Sequence, residues 1–226
     1  MHPPALTHID LVAFDLDGTL IDSVPDLAAA VDAMRADFGW PPAGANKVCA
    51  WVGNGSRVLV DRALADAAKD DAPSALATID SNVAHDAFLH HYHAAPCTHT
   101  RVYAGAHSCL ETLHENGFTL ALITNKPAAF LPLILHPLQI AHCFALTLGG
   151  DSLAQKKPHP APLQHVAERL GTAPQRCLMV GDSRHDIIAG KAAGFRTLAV
   201  TYGYNHGEPI EHSNPDHIVD SLAELR

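Results

Sequence analysis

The sequence predicts an α/β protein: a doubly wound parallel sheet, Rossmann-like, with a helical domain inserted after its first strand. Three observations predict it. Apolar, strand-like runs recur at residues 9–14, 118–123, 144–148, 177–180 and 197–200, each followed by a turn residue or polar motif and most then by a helix-like stretch. Such alternation of strand and helix signals builds a parallel sheet. The intervening helices also have legible ends, with Leu110 and Leu113 before Gly117, Leu163, Val166 and Leu170 before Gly171, and Ile187 and Ile188 before Gly194. Glycine just past the last apolar position is a common helix terminator. Finally, the stretch between the first two runs is far longer than one crossover helix requires and shows no convincing strand.

Taken in order, the run Ile9-Asp10-Leu11-Val12-Ala13-Phe14 is a buried strand that opens into Asp15-Leu16-Asp17-Gly18-Thr19. Ser23-Val24-Pro25-Asp26 then reads as a capping box, and Leu27, Val31, Met34 and Phe38 recur on one amphipathic helical face until Trp40-Pro41-Pro42 stops it. Further helices are expected near 56–68 and 74–92. These define a helical cap over residues 21–97, inserted into a catalytic core of residues 1–20 and 98–226. Pro132 and Pro137 fall in a stretch that should be mostly helical, which predicts a shifted or kinked helix there.

Composition narrows the partners. A chain of 226 residues is long enough to bury a substantial core, and its net charge of −9 with 15 basic residues leaves too little Lys and Arg for a nucleic-acid or acidic-membrane surface. A small-molecule partner is expected. No apolar stretch approaches the ~18 residues of a membrane span. The opening Met1-His2-Pro3-Pro4-Ala5 lacks the basic and apolar regions of a signal peptide, so a cytoplasmic protein is expected, monomer or homodimer. The five cysteines are odd in number, scattered and never in a C-x-x-C pair, as suits reduced thiols.

The chemistry lies at the strand ends, where open parallel sheets bind ligands. Two carboxylates one residue apart need a hard divalent cation to coexist ionised, and the amides of a turn containing Gly18 and Thr19 can form an anion-binding concavity. One carboxylate can attack phosphorus while the other moves the proton. The second strand ends in Thr124-Asn125-Lys126, whose hydroxyl and amide suit phosphoryl oxygens. The third leads to Lys156-Lys157-Pro158, where Lys157 is the chosen ammonium for developing charge. The fourth ends in Gly181-Asp182-Ser183-Arg184-His185-Asp186, whose carboxylates can complete an oxygen-ligand magnesium site. Each motif alone also reads as a turn, a solvated lysine pair or an N-cap; together, in this order, they describe phosphoryl transfer.

These motifs resemble the haloacid dehalogenase superfamily of phosphatases, with the insertion in the position of its helical cap. The resemblance implies Asp15 as nucleophile, Asp17 as general acid and base, and Thr124, Asn125 and Lys157 as phosphate-binding groups. It implies Mg²⁺ held by Asp15, the Asp17 carbonyl and Asp182, with Asp186 supporting the metal shell or orienting Lys157. A carboxylic acid at Asp17 implies a leaving alcohol that must be protonated. A narrower resemblance, carried by Trp51-Val52-Gly53-Asn54-Gly55-Ser56-Arg57, Thr124-Asn125-Lys126-Pro127, Lys157-Pro158-His159-Pro160 and Thr201-Tyr202-Gly203-Tyr204, is to bacterial phosphoglycolate phosphatases. It implies hydrolysis of 2-phosphoglycolate, with Arg57 as a candidate for the substrate carboxylate. The alternatives are a same-fold phosphatase for a sugar phosphate or pyrophosphate, a β-phosphoglucomutase, or, more remotely, a non-catalytic phosphate-binding module. The cap histidines, among them His85, His90, His91, His93 and His99, show no zinc-motif spacing and are expected to be solvated or satisfied in the core.

Overall fold

The computed structural model describes residues 4–68 and 79–225. Its strands are β1 (Leu11–Phe14), β2 (Ile21–Asp22), β3 (Arg101–Val102), β4 (Thr119–Ile123), β5 (Leu146–Leu148), β6 (Cys177–Gly181), β7 (Arg196–Val200) and β8 (His217–Val219). Six of them form one parallel sheet in the order β5-β4-β1-β6-β7-β8, while β2 and β3 pair antiparallel as a separate ribbon.

The central strands read as unbroken apolar runs because both faces of the sheet are covered. Side chains alternate between those faces. Val12, Phe14, Leu120, Leu122, Leu178 and Val180 share a core with the inserted helices, whereas Leu11, Ala13, Ala121, Ile123, Cys177 and Met179 lie in a second core on the opposite face.

Between β2 and β3 the insertion contributes α1 (Val24–Asp37), α2 (Ala45–Trp51), α3 (Ser56–Ala67) and α4 (Ser81–Ala94). Leu27, Val31 and Met34 form the buried stripe of α1 as the periodicity predicts, with Phe38 packed beside it. The helix expected near 74–92 is present from Ser81 to Ala94; residues 74–78 of it lie outside the described residues. In the core, α5 (Ala106–Glu115) precedes β4, α6 (Leu131–Leu135) follows it, and α7 (Ala161–Arg169) and α8 (Arg184–Ala193) flank β6. The two prolines of the α6 region bracket the helix instead of kinking it. Pro132 occupies its first turn, where no backbone donor is needed, and Pro137 follows its end.

Three expectations are corrected. The long insertion is not free of strands, because two-residue β2 and β3 frame it, too short to leave a periodic signal. The strand β8 also went unread, for the same reason. The capping box at Ser23 does not form: Ser23 Oγ instead donates to Asp17 Oδ1 at 2.5 Å. Buried Asp26 accepts from the backbone N–H groups of His99 and Thr100 and from the Thr100 hydroxyl, at 2.7–2.9 Å. The first turn of α1 is thereby spent on the active-site loop and on the chain returning to β3. Among the described residues, no helix is long and apolar enough to cross a membrane.

Candidate active site

The chain runs from β1 to β4 and β5 on one side, then returns past β1 to β6 on the other. That reversal makes a switch point between β1 and β6, and a crevice opens outside their carboxyl ends. Asp15 follows β1 and Asp182 follows β6, so the sheet order brings together groups 167 positions apart.

Asp15, Asp182 and Asp186 are buried, and one carboxylate oxygen from each falls within 4.8 Å of the others. Lys157 Nζ lies 2.9 Å from Asp15 Oδ1 and 2.7 Å from Asp186 Oδ1. Asp186 also accepts from the backbone N–H and hydroxyl of Ser183, a capping box that fixes the start of α8. The Thr19 hydroxyl donates to Asp182 Oδ1 at 2.6 Å, and the Tyr204 N–H to Asp182 Oδ2 at 2.7 Å. Two glycines make this approach possible. Gly18 has φ +88°, and a Cβ there or at Gly203 would run into the Asp182 carboxylate.

Three carboxylates therefore face one ammonium in a buried site. Burial, then the Asp186 and Asp15 charges, push Asp182 up to about 8, although Thr19 and Tyr204 oppose the shift. Burial and the Asp186 charge push Asp15 up to about 7 against the pull of Lys157. Lys157 is held above its ordinary value by Asp15 and Asp186, which outweigh its own burial. Carboxyls that would otherwise take up protons at neutral pH are suited to a metal cation, and an all-oxygen donor set is that of a hard ion. The residues present fit one.

Beside this cluster, Asp17 pairs with Lys126, whose Nζ lies 2.8 and 3.1 Å from its two oxygens. Asp15, Asp17, Thr124, Asn125 and Lys126 line one pocket with Leu27, Val52, Leu59, Phe88, Tyr92 and Phe130 from the insertion and its surroundings. Three polar contacts hold the 53–55 loop of the insertion down on the core: Asn125 Nδ2 to Gly53 O at 3.0 Å, Lys156 Nζ to Asn54 O at 2.8 Å, and Asn54 Nδ2 to His185 Nε2 at 2.9 Å.

The structure thus gathers Asp15, Asp17, Thr124, Asn125, Lys157, Asp182 and Asp186, and separates three other expected residues from the phosphate-binding set. The amides of Gly18 and Thr19 are spent inside the turn, on Ile21 O and Leu16 O, so this pair shapes the Asp182 side of the site. Arg57 is exposed, donates to Asn82 Oδ1 at 2.9 Å and does not line the pocket. Asn125 gives both amide hydrogens to backbone carbonyls, Gly53 O and Lys157 O, and works here as a clasp between core and insertion. Sequence reasoning passed over Lys126 as the partner of Asp17. Its position at the end of the second core strand was a signal, but nothing separated it from a solvated lysine. Among the cap histidines, His91 meets Asp37 and His85 meets Ser56.

A parallel sheet with a helical insertion after β1 and buried acids at the switch point defines a class, and the family model for haloacid dehalogenase-like hydrolases matches residues 9–194. The chain belongs to that family and is a hydrolase. It is 48% identical over 215 residues to phosphoglycolate phosphatase 1 of Pseudomonas aeruginosa, covering 95% of this chain and 78% of the relative. It is 45% identical over 219 residues to the phosphoglycolate phosphatase of Aliivibrio fischeri, covering 96% and 95%. The crystal structure of a predicted phosphoglycolate phosphatase from Haemophilus somnus superposes with a TM-score of 0.93 at 40% identity, over 97% of each chain.

Proposed function

We propose that the protein is a Mg²⁺-dependent phosphatase that hydrolyses 2-phosphoglycolate to glycolate and phosphate through an aspartyl-phosphate on Asp15. The observation that carries the reading is the pairing of two carboxylates with opposite surroundings: Asp15 clamped beside Lys157 among buried acids, and Asp17 facing the pocket. The phosphoglycolate phosphatases at 43–48% identity supply the substrate.

Asp15 Oδ1 accepts from Leu16 N–H at 2.7 Å and from Lys157, leaving Oδ2 to attack phosphorus. A bond forms between that oxygen and phosphorus while the bond to the ester oxygen breaks, and Asp17 gives the departing alkoxide its proton. Asp17 then takes a proton from water as the water attacks phosphorus, releasing phosphate and restoring Asp15. Lys157 keeps Asp15 oriented and offsets charge developing on the phosphoryl group, and the Thr124 hydroxyl at the pocket wall is placed to donate to it. Asp15, Asp182 and the Asp17 carbonyl would hold Mg²⁺ with Asp186 in support, and the bound ion supplies neutralisation of the phosphoryl oxygens.

Residues 21–97 act as a cap over the core of residues 1–20 and 98–226. The 53–55 loop is held on the core by its contacts to Asn125, Lys156 and His185, and its lifting and reseating would admit substrate and exclude bulk water. The test is Mg²⁺-dependent phosphate release from a panel of 2-phosphoglycolate, sugar phosphates, nucleoside monophosphates and pyrophosphate. The highest kcat/KM is expected for 2-phosphoglycolate; a preference for a sugar phosphate or pyrophosphate overturns the substrate assignment.

A further inference from the structure

A substrate that carries a carboxylate next to its phosphate ester needs a second positive site in the pocket, apart from the groups that handle phosphorus. Arg57 is not there to provide one. Among the described residues lining the pocket, the one cation is Lys126, only 5% exposed, at the end of β4. The ammonium has three donors. Two contacts run to the oxygens of Asp17, and the charge also sits 4.9 Å from the centroid of the Tyr92 ring.

Tyr92 comes from α4, on the other side of the pocket, and is 1% exposed. Its ring is fixed between Phe88, at 5.7 Å, and Phe130, at 4.8 Å. Its hydroxyl has no acceptor. Lys126 couples to it electrostatically but can only donate, so the hydroxyl proton remains unspent. A buried donor without an acceptor is uncommon and costly, and its natural complement is an anionic oxygen. Elsewhere on the insertion's wall Leu27, Val52, Leu59 and Phe88 are apolar, and the Ser56 hydroxyl is already engaged with His85 Nε2 at 2.9 Å.

Distance points the same way. The proton donor Asp17 must reach the ester oxygen within about 2.6–3.2 Å. The carboxyl carbon of 2-phosphoglycolate lies only two bonds of about 1.5 Å from that oxygen. Lys126 Nζ is 2.8 Å from Asp17, within reach of a carboxylate so placed.

We infer that Lys126 and Tyr92 together form the subsite for the substrate's carboxylate, one supplying the charge and the other a directed hydroxyl, and so select a 2-phospho-carboxylate over a phosphate ester that lacks the carboxylate. The inference rests on the 2-phosphoglycolate reading above. In the free protein Asp17 occupies the ammonium; the incoming carboxylate shares it and takes the Tyr92 hydroxyl.

The experiment compares kcat/KM for 2-phosphoglycolate with that for 2-hydroxyethyl phosphate, a counterpart of similar size whose hydroxyl replaces the carboxylate. The wild type, Lys126→Met and Tyr92→Phe are assayed at saturating Mg²⁺. The selectivity ratio is expected to fall by about 10- to 100-fold in Lys126→Met and by about 3- to 10-fold in Tyr92→Phe, the ranges for losing a charged and a neutral hydrogen bond. Because Lys126 also touches Asp17, the ratio is the readout and not the absolute rate. Tyr92→Phe removes a single oxygen and keeps the test open should Lys126→Met fail to fold. A ratio unchanged within about twofold in a folded variant overturns the subsite while leaving the substrate reading intact. A wild-type ratio near unity instead overturns the substrate reading itself.

Discussion

In the proposed metal site a cation and protons would compete for the same carboxylates, and burial with mutual repulsion sets the direction of that competition. Asp15 rises to about 7 and Asp182 to about 8 when burial and mutual repulsion are opposed by a single ammonium. At pH 5 the site therefore holds protons that Mg²⁺, the proposed cation, would have to expel, and by pH 8 most are gone. Asp15 shares the Lys157 charge, whereas Asp182 has only the Thr19 hydroxyl and the Tyr204 N–H, so one proton, chiefly that of Asp182, is a conservative count. One displaced proton makes affinity rise tenfold per pH unit, about 100-fold or ~2.7 kcal/mol between pH 5 and 7, and level off above pH 8.

Without metal the sign reverses. These acids have folded-state values above their unfolded ones, so the folded state binds more protons than the unfolded chain between about pH 4 and 8, and their contribution to stability is lost as pH rises through that window. His185, lowered to about 4 chiefly by burial, acts oppositely below its unfolded value, where the unfolded chain binds more protons. Calorimetric titration with Mg²⁺ at pH 5, 6, 7 and 8, each in two buffers of different ionisation enthalpy, reads the site directly because that background cancels. An affinity that is flat from pH 5 to 7, with heats independent of buffer, refutes the reasoning. In Asp182→Asn most of the proton release should vanish.

Gly18→Ala, which needs φ +88° and space held by the Asp182 carboxylate, should lower kcat/KM by about 100-fold with weakened Mg²⁺ activation, measured by phosphate release. Asp26→Ala leaves the Thr100 and His99 donors without their buried acceptor and should destabilise the protein by about 3–5 kcal/mol. Its melting temperature should drop by ~10 °C in a thermal scan. Arg57→Ala should change kcat/KM for 2-phosphoglycolate by less than about twofold, since the side chain meets Asn82 at the surface.

The sheet was legible because its central strands are buried on both faces, which writes them as plain apolar runs such as Leu11–Phe14 and Cys177–Gly181. The strand-end acids were legible because the chemistry needs several charges at one place, and Asp15, Lys157, Asp182 and Asp186 have no simpler joint use. What escaped depended on partners distant in the chain. Ser23 looked like a local cap, yet its hydroxyl was claimed by Asp17. Asn125 looked like a phosphate donor, yet Gly53 O and Lys157 O took both hydrogens. Lys126 and Tyr92 are brought together only when α4 folds over the end of β4, and their separation of 34 positions in the chain hides that meeting from any local pattern.

The stereochemical course at phosphorus tests the central claim, attack by Asp15, most directly. Hydrolysis of 2-phosphoglycolate made chiral at phosphorus with oxygen isotopes and sulfur, in labelled water, should proceed with net retention, because attack by Asp15 and then by water each invert the centre. Net inversion would mean that water displaces the alkoxide in one step, and would contradict the account.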